Sequence, residues 1–413
     1  MTNTVLTDSM ITKECLMELK NQLGFTKSAN RQYDKNFAVN GAKKGSTINI
    51  RKPARYAVVD GAPISQQDSV DEQVALTLDN QKHVAMNFTS AELSLSIDNF
   101  KERYIKPAVT ALANAVDYSF YSAMYKEIYS SVGVPSASAL PSTLKGFTQA
   151  KARIASLGGS IDPLVAVVDP EVEASMVEGL KGLFQSSDQI SQQYEKGIMG
   201  IAAGSKFKMS QNVSKHTSGA VAGTPLIDTT ISTEGIATLH LDGITGSING
   251  CYKAGDSIQI AGVYAVNPQT KQSTGKLAQF VVTADTNSSS GEIASLPISP
   301  AIYLTGAKKN VSAYPTDGAA VTLFGHATNY AGLIVPQNLV FHKDAFALGC
   351  ADLELPRGMD MAARAVDEES GLSIRFVRGF DISTDKMVSR LDILFGHACL
   401  YPEFACRVVG QPA

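Results

Sequence analysis

The sequence predicts an α+β fold with an all-β domain inserted in mid-chain. Three observations carry that reading. An unbroken i+4 row of apolar residues runs from Phe100 to Ile128. Two alternating, strand-like segments, 47–59 and 73–89, precede it. From about 218 to 332 long helical periodicity stops, and short strands recur between turns rich in Gly, Ser and Asn.

Bulk properties set the frame. At 413 residues the chain exceeds what one compact core usually holds, so two or more domains are expected. Apolar residues make up 44% and supply ample core. Charged residues are 18%, below the usual level of about a quarter, as on a chain whose surface is covered by partner chains. The net charge of −3 leaves no excess of Lys and Arg to neutralise phosphates, which argues against nucleic-acid binding by the whole surface. The five cysteines are dispersed and odd in number, as for inert thiols in a reducing compartment. The N-terminus has no secretory pattern, and no apolar run reaches the length of a membrane span.

Residues 1–45 read as an N-terminal arm. Within it Ile11, Cys15, Leu19 and Leu23 recur every fourth residue, which predicts a short helix over 8–24 with Asp8 or Ser9 as cap. The remainder is polar, glycine-punctuated and extended. Residues 46–90 read as one long antiparallel hairpin. Ile48, Ile50, Ala54, Tyr56 and Val58 share one face of its first strand, and the polar tip "DGAPISQQDSVDE" joins it to the second. A two-stranded hairpin is marginal alone, so it must lie on something.

Charge is concentrated on this hairpin. Lys43, Lys44, Arg51, Lys52 and Arg55 mark its approach and first strand, and Asp60, Asp68, Asp71 and Glu72 mark its tip and return. The pattern fits either ordinary surface charge or a contact in which one subunit's arm lies on its neighbour, with opposite charges fixing register.

Residues 91–135 carry the helical row Phe100, Tyr104, Ala108, Leu112, Val116, Phe120, Met124 and Ile128. Pro107 is favoured only in a first turn, so the pattern predicts a short helix near 98–105 and a long one from Pro107 to Tyr129, roughly 35 Å in length. Residues 136–217 alternate helix and strand, with "PLVAVVDP" as a buried strand. After the inserted β-domain at 218–332, residues 333–385 return to mixed structure and 386–413 supply closing strands.

Catalytic chemistry is not signalled. The sequence lacks GxSxG, HExxH, SxxK and GxGxxG. "GAKKGST" has the wrong spacing for a phosphate loop. "DTNSSSGE" places Asp285, Asn287 and Ser289 at alternate positions, but its glycine comes late and Leu296 stands where a bidentate acid belongs. The six histidines show no ligand spacing. No catalytic, metal or cofactor residues are expected.

Taken in order, the arm, the hairpin, the long helix, the mixed core and the inserted β-domain resemble the major capsid (coat) proteins of tailed bacteriophages with the HK97-like fold. Within these the chain most resembles the P22 coat protein family, from about residue 8 to 410. "NRQYDKNFAVNGAKKGSTINIRKPARY" resembles that family's arm entering its E-loop. "YIKPAVTALANAVD" is similar to the start of its spine helix, and "YKAGDSIQIAGVYAVNPQTKQSTGKLAQFVV" to its insertion domain. "NLVFHKDAFALGCADLELPRG" and "SIRFVRGFDISTDKMVSRLDILFG" resemble its closing segments. The resemblance implies a P-domain around the spine helix and an A-domain on either side of the insertion.

It also implies a structural protein whose copies form hexamers and pentamers of an icosahedral virion shell, assembled in the host bacterial cytoplasm around double-stranded DNA. The implied partners are a portal protein, a separate scaffolding protein and decoration proteins, with no membrane. No scaffold-like segment precedes the arm, which favours a separate scaffold. Lys52 lies on the E-loop, but no cross-linking motif accompanies it. The competing readings are an encapsulin-type compartment shell, an enzyme with a dispersed active site, and another structural phage protein.

Overall fold

In the computed structural model the row of apolar residues faces a core, as its spacing predicts. The structure describes residues 8–30, 45–53, 55–56, 58, 72–89, 105–135, 140–179, 200–325, 332–359, 361–367, 371–381 and 386–411. The first helix, α1, spans Asp8–Gln22, and the long helix, α2, spans Lys106–Met124. Leu112, Val116, Phe120, Met124 and Ile128 are all buried, with Val109 and Ala113 beside them. α2 ends earlier than periodicity predicts. A 3₁₀ turn, Tyr125–Glu127, follows it, and Ile128 is already extended at φ −87° and ψ 115°. Phe100 and Tyr104, with the short helix expected at 98–105, lie outside the described residues.

The chain divides into two compact units. The first comprises Met1–Lys52, Gln73–Phe120 and Phe346–Leu400. Its hairpin stem pairs β1 (Thr47–Arg51) with β2 (Gln73–Thr77), in antiparallel register from Thr47↔Thr77 to Arg51↔Gln73. β1 is shorter than the predicted 47–59. It stops before Pro53, which has no N–H to give and biases the residue before it. The predicted second strand, 73–89, is two strands. Leu78 still exchanges backbone hydrogen bonds with Gly45 and Ser46, and this pairing ends there. β3 (Asn80–Thr89) pairs instead with Lys386–Cys399, from Asn80↔Phe395 to Thr89↔Lys386.

Strands Phe346–Ala351, Met361–Asp367 and Leu372–Asp381 complete that sheet. The sheet therefore draws on strands between Phe346 and Asp381, which the sequence reading grouped with 333–345. Within it Gly349 and Gly396 are direct cross-strand partners. They leave a notch over which the hairpin stem lies. A Cβ on Gly396 would sit 2.2 Å from the Thr77 carbonyl oxygen, and one on Gly349 would sit 3.0 Å from Leu76 Cδ2. Leu76 and Leu78 are buried there.

The second unit comprises Pro53–Glu72, Tyr121–Ala345 and Tyr401–Ala413. One of its sheets orders the strands Ser131–Val132, Ala405–Val408, Asn338–His342, Leu164–Val168, Ser205–Met209 and Ile201–Ala202. Helices α3 (Lys145–Ser156) and α4 (Pro170–Gly179) supply Phe147, Ala150, Ile154, Val172 and Met176 to its core. The inserted domain is a six-stranded antiparallel barrel built from strands between Gly223 and Leu323. It closes where Ile227 N–H donates to the Ala319 carbonyl at 2.9 Å and Leu226 bridges Ala320. Alternate strand residues such as Leu239, Leu241, Ile258, Ile260, Phe280 and Val282 fill it, as the period of two requires.

Candidate functional site

The hairpin is the feature whose length and charge ask for a function. In its stem Ile50 is buried and Ile48 half-buried, so the apolar face begins as predicted. Beyond Pro53 that face opens to solvent, with Tyr56 exposed and Val58 94% exposed. Arg51 stands exposed opposite Gln73, and Lys52 is half-buried.

Two flanks of the tip find partners inside the second unit. Arg55 forms an ion pair with Glu403, 348 residues away, and Glu72 binds Lys308 at 2.7 Å. The hydrogen bond to Glu72 raises the Lys308 pKa. Both pairs are partly exposed, so each contributes at most about 1 kcal/mol. Sequence alone left these charges open between ordinary surface charge and a contact with a neighbouring subunit, and it held no hint of these two pairs, because neither Glu403 nor Lys308 carries a local signal. Lys43, Lys44, Asp60, Asp68 and Asp71 lie outside the described residues.

Among the described residues, several that could do covalent or metal chemistry have structural partners instead. Among the described residues no group of three or more His, Cys, Asp and Glu could hold a metal ion. All five cysteines are free thiols, and burial pushes the Cys406 thiol up to about 12. Asp285 and Asn287 accept backbone hydrogen bonds from Ala254 and Gly250, so they tie loops together.

The buried Asp256 accepts from His216 Nε2 at 2.8 Å, Gly219 N–H at 3.0 Å and Lys253 N–H at 2.8 Å. The other nitrogen of His216 faces the Tyr125 hydroxyl at 3.3 Å. This network fixes the entry to the barrel. In the sequence its only trace is one of several scattered histidines.

His397 is largely buried and stacks on Phe120. Burial holds its pKa below the ordinary value, against the opposing pull of Asp79. The unfolded chain therefore takes up this proton first. Stability from this site is complete above about pH 6.5 and is lost as pH falls below it. His397→Phe is expected to lose less of its urea midpoint between pH 7 and pH 5 than the parent, measured on unassembled subunit. Equal losses would remove His397 as a source of acid sensitivity.

No catalytic constellation emerges among the described residues, and the hairpin, the long helix and the barrel remain as the features to explain. A family model described as P22 coat protein, gene protein 5, matches residues 1–410. The chain belongs to the P22 coat protein family. That family is one of structural capsid proteins, not of enzymes.

A relative named major capsid protein, from Acyrthosiphon pisum secondary endosymbiont phage 1, is 25% identical to this P22 coat family member over 263 residues. The match spans 60% of this chain and 60% of that relative's length. Among solved structures, the capsid of Ralstonia phage GP4 aligns at 7% identity and TM-score 0.44, over 95% of this chain and 92% of that one. The holo-SrpI encapsulin complex from Synechococcus elongatus aligns at 9% identity and TM-score 0.38, over 89% and 82%. Scores this low, from phage capsid and encapsulin alike, leave the family match as the deciding observation.

Proposed function

We propose that this chain is the major capsid protein of a tailed phage, with an HK97-like subunit whose copies close into an icosahedral shell around double-stranded DNA. The observation that carries the reading is the family match across residues 1–410. The physical features agree with it. A hairpin with exposed Tyr56 and Val58 beyond its stem, and basic residues on the stem, suits contact with another subunit. Many such contacts, repeated by symmetry, build a stable shell from individually weak interfaces.

A separate scaffolding protein, a portal and, where present, decoration proteins are the partners this function calls for. Assembly in the host cytoplasm and residence in the virion follow from the same reading. Electron microscopy of the expressed protein, alone and with its candidate scaffold, tests it. Closed shells are expected, and a persistent monomer with both proteins present would overturn the assignment.

The charged stem gives a sharper test. Arg51→Glu with Arg55→Glu is expected to cut shell yield severely while the subunit stays folded. Arg51→Glu and Arg55→Glu are also measured singly, because Arg55 has Glu403 within the chain. Loss of that partly exposed pair accounts for no more than about 1 kcal/mol of subunit stability. Shells at parental yield from the double variant would show that these arginines do not serve assembly.

A further inference from the structure

We infer that an open groove in the second unit takes an acidic peptide segment of a partner protein. The groove has a volume of about 690 Å³, within the range of ligand-binding clefts. One wall is the edge strand Ser131–Val132 with its continuation and the α3 residues Gln149 and Arg153. The other wall is the outer face of the barrel. There Thr322, Gln259 and Gln279 are direct cross-strand partners on three adjacent strands, so their side chains share that face. The walls are tied together by Gln279, whose Oε1 accepts from Ser131 N–H at 2.8 Å and whose Nε2 donates to the Ser131 carbonyl at 2.9 Å.

Three observations point to the occupant's chemistry. First, the charged residues lining the groove, among the described residues, are both basic: Arg153 and the exposed Lys276. Second, polar groups here await partners. Arg153 is 5% exposed, and its Nη2 donates to the Leu277 carbonyl at 3.3 Å, while its Nε has no hydrogen-bond partner among the described residues. The Ser131 hydroxyl, also buried, is in the same condition. Burial lowers the Arg153 pKa, as for a guanidinium without a carboxylate beside it. Third, Val134, Leu277 and Phe324 add apolar surface between the polar groups.

A peptide carrying carboxylates and apolar side chains matches all three. Carboxylates meet the two cations through charge-assisted hydrogen bonds, and the Gln149 and Gln259 amides serve a peptide backbone. Duplex DNA matches less well, because it is held by many phosphate contacts and this groove offers two cations at one place.

The test uses unassembled full-length subunit, so it does not depend on shell formation. A fluorescein-labelled peptide of alternating Asp, Glu and Leu is titrated by fluorescence anisotropy, beside the same peptide with Lys at the acidic positions. Saturable, salt-sensitive binding of the acidic peptide alone is expected. Lys276→Glu, at an exposed position, is expected to weaken it by about tenfold or more with an unchanged thermal midpoint. Gln149→Glu should act in the same direction, and provides a second probe that spares the buried Arg153. The inference is overturned if the acidic peptide fails to saturate or if Lys276→Glu binds as well as the parent. It is also overturned if a duplex oligonucleotide displaces the peptide as effectively as unlabelled peptide does.

Discussion

Asp117→Ala is expected to destabilise the first unit by about 3–5 kcal/mol, a large part of the stability of a typical domain. Asp117 lies on α2, one residue beyond the buried Val116, and is itself 1% exposed. Its carboxylate accepts from Gly24 N–H at 2.7 Å, Phe25 N–H at 3.2 Å and Thr26 N–H at 3.0 Å, and from the Thr26 hydroxyl. Those donors belong to the segment just beyond α1 and to the 3₁₀ turn Thr26–Ser28. The carboxylate thus fixes where the arm leaves α1.

Phe25 is placed as a consequence. Its ring packs on Phe120 with centroids 4.9 Å apart and on Phe346 at 5.7 Å. Alanine would leave three backbone N–H groups in this site without their acceptor, and each such loss costs about 1–3 kcal/mol. An amide would keep one acceptor oxygen but aim its NH₂ at a backbone N–H, so Asp117→Asn should be nearly as costly. Thr26→Val removes one donor and keeps the shape, so it should cost only about 1 kcal/mol. Urea melts of unassembled subunit measure all three. A loss below about 1 kcal/mol for Asp117→Ala would mean that the arm finds its path without the carboxylate.

The contrast between Val116 and Asp117 marks what the sequence can disclose. Val116 stands in a row that repeats every fourth residue, so its burial is a local regularity. Asp117 has partners 91 to 93 residues away, and a lone carboxylate on a helix reads as a solvated charge. The all-β character of the inserted domain was legible for the same reason as Val116. Its short alternating strands and glycine turns are periodic features, whereas its closure, Ile227 onto Ala319 and Leu226 onto Ala320, joins distant segments and leaves no pattern in either.

The split between β2 and β3 was not legible, because Val74, Leu76, Leu78, Val84, Met86 and Phe88 keep one phase throughout. The change of partner at Leu78 is decided by the strand Lys386–Cys399, about 300 residues later. The charges of the hairpin were visible as charges. The pairing of Arg55 with Glu403 and of Glu72 with Lys308 was not, since a single ion partner leaves no pattern in either segment. Arg153 and Lys276 likewise show no shared pattern, because the groove they line is made only when α3 and the barrel have folded.

Gly396→Val is expected to cost about 3 kcal/mol or more and to release the hairpin stem from its sheet. The reason is what the new atoms meet. Gly396 has ordinary strand pairing, opposite Gly349, so backbone conformation does not call for glycine there. The demand is for space: a Cβ would fall 2.2 Å from the Thr77 carbonyl oxygen, 2.7 Å from its carbon and 3.1 Å from Leu78 Cα. All three are backbone atoms, and no rotamer change can move them.

Either β2 shifts, or the strand carrying Gly396 does. A shift of β2 exposes Leu76 and Leu78 and disturbs the register from Thr47↔Thr77 onward. Gly349 supplies the control, since its nearest neighbour is Leu76 Cδ2 at 3.0 Å, the far end of a side chain that can turn. Gly396→Ala should therefore lower the urea midpoint clearly more than Gly349→Ala, and Gly396→Val more than either. The same order should appear in shell yield, if the stem must be seated before the tip can meet a neighbouring subunit. Equal losses for the two alanine variants would mean that the stem rides over the notch without being held by it.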